Sequence, residues 1–125
     1  MDKQAVYDAV RQHAVKQGSL AIEGDYCRYR TTTGKKCFIG ALIPNSAYTE
    51  GMEGVSIGHT RDGDIQAKLL VEALDANLIL SGWRGYKEME FLGRIQGCHD
   101  NQYCIADAIR DLGRVATYHG LTVPT

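Results

Sequence analysis

Apolar residues recur at intervals of three and four in four separate stretches of this chain. Between the first and second of these the pattern changes to β-prone residues alternating around a glycine. A period near 3.6 lets a helix bury one face, and a period of two does the same for a strand. The combination predicts an α+β fold of about four main helices packed on a small antiparallel hairpin or meander. The first helix runs from about Asp2 to Gln17, with Asp2 as N-cap, Val6, Val10 and Ala14 inward, and Gly18 as its stop. His13 falls toward its polar side and reads as solvated. The second spans about Ile65 to Leu80, with Ile65, Leu69, Ala73, Ala76 and Leu80 along one stripe. The third, about Arg84 to Gln96, carries Tyr86, Met89, Phe91, Leu92 and Ile95 and ends at Gly97. The fourth is capped by Asp100 or Asn101 and runs to about Tyr118, with Ile105, Ile109, Leu112 and Ala116 inward.

No repeat or linker interrupts residues 1–125, so a single globular domain is expected. A chain of this length buries about two thirds of its unfolded surface and needs no metal or disulfide to fold. No apolar run approaches the roughly 18 residues of a membrane span, so no membrane partner is expected. The opening MDKQAVYDAVRQHAVKQG has mixed charge and no apolar core. It reads as something other than a secretory signal, which implies a cytoplasmic protein whose four cysteines are thiols.

The most informative stretch is Tyr26 to Pro44, YCRYRTTTGKKCFIGALIP. Tyr26 to Thr31 and Lys35 to Ile39 are β-prone, and Gly34 supplies a turn between them, so a β-hairpin is expected. Alternation then buries Cys27, Tyr29, Cys37 and Ile39 and turns Arg28, Arg30 and Lys36 outward, with Tyr26 and Phe38 beside them. Arg28, Arg30, Lys35 and Lys36 lie among no carboxylates, whereas the rest of the chain carries a formal charge of −5, ten basic residues against fifteen acidic ones. A local cationic patch on an acidic body suits a compact anion better than a long duplex. Guanidinium forks pair with phosphate or carboxylate, and neighbouring aromatics offer stacking surfaces. The leading reading is therefore a binding protein that uses Tyr26, Arg28, Arg30, Lys36 and Phe38 to hold an anionic small molecule or an acidic protein surface. Nucleic acid is a lesser partner. The competing structural reading is a charged face that keeps an edge hairpin from pairing with other chains.

Two catalytic readings stand beside it. Cys37, where a strand meets a short helix, could be a nucleophile with His99 as base and Asp100 or Asp111 orienting it, as in a cysteine-dependent hydrolase or transferase. A buried structural thiol is the plainer reading of the same residue. The order His59, then His99-Asp100, then Asp107 or Asp111 is similar to that of metal-dependent phosphohydrolases, although Asp100 is equally a helix cap. Cys98, His99 and Cys104 do not have the spacing of a zinc knuckle, and none of the glycine-rich nucleotide motifs is present, so neither a resident metal nor a cofactor is implied. Residues 50–64, EGMEGVSIGHTRDGD, hold four glycines and one possible strand, Val55 to Ile57, and are long enough for a functional loop.

The run C-R-Y-R, a glycine turn, K-C-F-I-G-A-L-I-P, then Tyr48 and Met52-Glu53-Gly54, resembles a family of small uncharacterised proteins of bacteriophages and bacteria. The likeness continues through Phe91-Leu92 and Gln96 to His99-Asp100, and so covers roughly residues 18 to 120. It extends to Cys27, Arg30, Gly34, Lys36, Cys37, Gly40, Pro44 and the His-Asp pair, but not to Cys98 and Cys104. What it implies is an origin and no mechanism. By analogy with phage accessory proteins it implies a binder acting in the host cytoplasm that sequesters or inhibits a host protein or a signalling nucleotide.

Overall fold

The computed structural model describes residues 1–57, 65–77 and 82–124. In chain order it has α1 (Lys3–Gln17), β1 (Ile22–Glu23), β2 (Tyr26–Cys27), short 3-10 turns at Gly40–Leu42 and Glu50–Met52, α2 (Ile65–Ala76), α3 (Tyr86–Asp100) and α4 (Ile105–Tyr118). Among the described residues, four helices on one two-stranded antiparallel sheet make the fold α+β, as the periodicity implied. Helix α4 packs against both α1 and α3, the Gly40–Leu42 turn lies on α1, and α2 meets the Glu50–Met52 turn. None of the helices is long and apolar enough to cross a membrane, among the described residues.

Helix α1 forms as its caps dictate. Asp2 accepts from the N–H of Ala5 at 2.8 Å, Gly18 closes the helix through Ala14 O, and Val6, Tyr7, Val10 and Ala14 are buried. The other boundaries are set by packing. In α2 the buried residues are Ala67, Leu70, Val71, Ala73 and Leu74; of the expected stripe Ala73 is buried and Leu69 packs partly buried against the core, whereas Ala76 is exposed. The expected extension to Leu80 falls outside the described residues. Helix α3 does not stop at Gly97 but continues to Asp100, because Ile95, Cys98 and His99 keep its inner face buried through another turn. The His-Asp pair therefore ends α3 and does not cap α4, which starts at Ile105 behind Cys104. Tyr86, expected inward, is exposed.

The largest departure is the hairpin. The strands that pair are Ile22–Glu23 and Tyr26–Cys27, with Ile22 opposite Cys27 around the Gly24-Asp25 turn. Of the expected pairing between residues 26–31 and 35–39, one isolated bridge remains, Arg30 with Lys36. Thr31 N–H reaches Lys35 O at 2.9 Å, and Gly34 takes the left-handed conformation that the turn needs, φ +90°. Beyond the bridge the chain coils. Ala41 N–H bonds Cys37 O and Leu42 N–H bonds Ile39 O, so Cys37, Phe38 and Ile39 all face the core in succession. Phe38, expected outward, is buried at 1% exposure. Burying a phenylalanine contributes about 1.5–3 kcal/mol, more than a two-stranded ladder at an edge would return. Gly40 permits the coil, since a Cβ there would run into the carbonyl of Tyr29. Residues 55–57 form no strand, although Val55 and Ile57 are buried.

Candidate functional site

Little regular structure holds residues 20–57, so side chains supply the bonds that a sheet would have made. Glu53 is the main clamp. Its carboxylate accepts the N–H groups of Tyr29 at 2.9 Å and Arg30 at 3.0 Å, and the hydroxyl of Tyr48 at 2.6 Å. Tyr29 donates its hydroxyl to Val55 O and receives Gln96 Nε2 at 3.1 Å, while Gln96 Oε1 accepts Ile57 N–H at 3.3 Å. On the other side α1 grips Lys36 by its backbone. Gln17 bonds both its N–H and its carbonyl, at 2.8 and 2.9 Å, and His13 donates to the same carbonyl at 2.9 Å. His13 is thus half-buried and bonded where solvation was expected, and burial lowers its pKa.

This frame gives the basic residues different surroundings. Arg28 is neutralised. Its guanidinium binds both oxygens of Glu50 at 2.9 and 2.8 Å, lies 3.5 Å from Glu23 and 3.8 Å from Glu53, and its Nε donates to Arg30 O at 3.0 Å. A ligand would have to displace these carboxylates, so the expected role of Arg28 in holding an anion has no free donors behind it.

Arg30 and Lys36 are the opposite case. They face one another across the isolated bridge, and neither forms an ion pair among the described residues. Arg30 donates Nη2 to Ile43 O at 2.7 Å and lies 5.0 Å from the centre of the Tyr48 ring, while its buried Nε has no protein partner among the described residues. Lys36 Nζ has one bond, to Asn45 Oδ1 at 3.3 Å. Burial lowers the pKa of Lys36, and the nearby Arg30 charge lowers it further. The other expected members are not gathered here. Phe38 is in the core, and Tyr26, though exposed, belongs to the β1–β2 hairpin.

A cavity of about 150 Å³ does bring together Cys27, Tyr29, Cys37, Glu53, Gln96 and Asp100. Cys37 and Asp100 thus meet, with His99 packed edge-on to Phe38 beside them. The bonds of His99, however, rule out the role of base. Ala21 N–H donates to its Nε2 at 2.8 Å, so the ring proton sits on Nδ1 and is given to Asp100 at 2.9 Å. No lone pair remains for a thiol proton. Cys37 itself accepts Gly40 N–H at 3.2 Å, and burial pushes its thiol well up, with the Asp100 charge adding to that. A nucleophilic cysteine needs the reverse.

The same tautomer argues against a metal. Cys27, His99 and Asp100 offer donor atoms within 4.8 Å of one another. A metal on Nδ1 would force a proton onto Nε2, against the N–H of Ala21. The third residue of the metallohydrolase reading, His59, lies outside the described residues. His99 is better understood as a latch that ties β1 to the end of α3.

No protein-family model matches this chain, no curated protein matches it, and no solved structure matches it. The side chains and the glycine that lock residues 20–57 are Arg30, Gly40, Glu53, Gln96 and His99. The sequence reading missed Glu53, Gln17, Gln96 and Asn45 as site-building residues. Glu53 and Gln96 stood in the motif runs without a role, and for Gln17 and Asn45 a polar residue next to buried apolar ones does not differ by spacing from a surface residue.

Proposed function

We propose that this is a non-enzymatic binding protein that holds a compact anionic partner on Arg30 and Lys36. One observation carries the reading: two cations meet across a fixed bridge with no ion-paired carboxylate among the described residues, two residues from an arginine that has three. Bringing like charges together is unfavourable unless an opposite charge offsets it. The site is also partly preorganised, with the Arg30 guanidinium held by Ile43 O and Tyr48 and the Lys36 backbone by Gln17 and His13, so binding has mainly the lysine side chain left to order. The partner is a nucleotide, another small anion or an acidic protein surface. A host target in the cytoplasm rests on the family resemblance alone.

The test is an amide chemical-shift titration of the whole protein with ATP and with an acidic peptide. The expected result is shifts centred on residues 30–36 and 45 with at least one of them, and loss of those shifts in Lys36→Gln. Absence of shifts there with both anions at millimolar concentration would end the reading. Iodoacetamide gives a second check at about pH 7.5, where exposed Cys104 should label while Cys37 stays unmodified in the native protein. Rapid native labelling of Cys37 would restore the nucleophile reading.

A further inference from the structure

We infer that the group received by Arg30 and Lys36 is a phosphoryl group, recognised by its charge and oxygens with no contact that reads a base. This rests on the anion-binding reading above and narrows it. The unused donors decide the class. Nη1 of Arg30 has no protein partner among the described residues, the Lys36 ammonium makes a single bond there, and Asn45, accepting from that ammonium, keeps its own N–H groups. A planar carboxylate brings two oxygens and one charge to such a set. A phosphoryl group brings three oxygens and up to about two charges, which matches a paired arginine and lysine.

The aromatics decide the rest. Stacking of a base on an aromatic ring needs an exposed ring face beside the phosphate site. Phe38 is 1% exposed, and the ring of Tyr48 carries the Arg30 guanidinium at 5.0 Å. The exposed Tyr26 stands on the other hairpin, where its strand partner is Glu23, a carboxylate that also accepts from Thr32 N–H at 3.0 Å. No ring is left to serve as a stacking platform next to the two cations among the described residues.

The full chain is titrated at constant ionic strength with inorganic phosphate, AMP, adenosine and glutarate, read from amide shifts at residues 30–36 and 45. Phosphate and AMP are expected to bind within about threefold of one another, adenosine not to bind, and glutarate to bind at least about tenfold more weakly. Lys36→Gln should weaken phosphate and AMP together by about tenfold, and Arg30→Lys, which keeps the charge but loses the fork, by a smaller factor. AMP binding more than about tenfold tighter than phosphate would show that the base is read and overturn the inference while the anion-binding reading stands. Glutarate binding as tightly as phosphate would likewise replace phosphoryl with carboxylate. If none of the four ligands shifts these residues, the inference fails. The anion-binding reading falls with it only if ATP and the acidic peptide also leave them unshifted. Free phosphate and a nucleotide as sources are separated by the ratio of the first two constants.

Discussion

Arg28 and Arg30 are the same residue type, two positions apart, and the fold treats them in opposite ways. Arg28 reaches three glutamates from two segments and becomes a fastener between β1, β2 and the Glu50–Met52 turn. Arg30 meets a lysine, a tyrosine ring and a backbone carbonyl, and keeps its charge unmatched. The contrast teaches that a basic run in a sequence counts charges, whereas a binding site requires charges left over after folding. On the Arg28 side the surplus is zero or negative, and among the described residues of this stretch the Arg30–Lys36 side is the one with donors to offer.

Breaking the fastening side should cost stability first. Glu53→Ala removes the acceptor of two backbone N–H groups and of Tyr48, a loss of about 2–4 kcal/mol and roughly 10 °C in Tm by thermal melting. A melt within about 2 °C of the wild type would show that water replaces the clamp. Arg28→Ala should lower Tm by only a few degrees, since its carboxylate partners are partly solvated, and should leave anion affinity unchanged. Weakened binding in this variant would blur the division between the two arginines.

A smaller effect comes from pH. The folded pKa of His13 is lowered by burial, so its contribution is present above the unfolded value of about 6.5 and is lost as pH falls through the folded one. Tm should therefore decline between about pH 7.5 and 5.5, and less steeply in His13→Gln, which keeps a donor for Lys36 O without titrating. Equal slopes would remove His13 from the account. The smallest change in stability belongs to Lys36→Gln, expected within about 0.5 kcal/mol of the wild type because the backbone, and not the ammonium, is what α1 grips. A large loss of stability there would move Lys36 from the binding side to the fastening side.

How far the sequence could be read follows the regularity of each element. The caps of α1 and its inner face were legible because Asp2, Val6, Val10, Ala14 and Gly18 obey a local period. The end of α3 was not, since Gly97 looked like a stop until Cys98 and His99 found burial beyond it. Alternation placed Tyr29, Cys37 and Ile39 inside, but it turned Phe38 outward because it assumed a strand where the chain coils. The site was legible only in part. Arg30 and Lys36 were found by charge, Arg28 was included for the same reason, and Asn45 and Tyr48 were not expected beside them.

What the sequence determined by itself is therefore everything that depends on neighbours three or four positions apart: four amphipathic helices, an α+β fold and a basic stretch free of acids. What the tertiary structure decided is which of those bases is neutralised. Glu50 stands 22 residues from Arg28, and Gln17 stands 19 from Lys36. Charge belongs to a residue, but its cancellation belongs to a pair, and across irregular loops no period records which pairs will form.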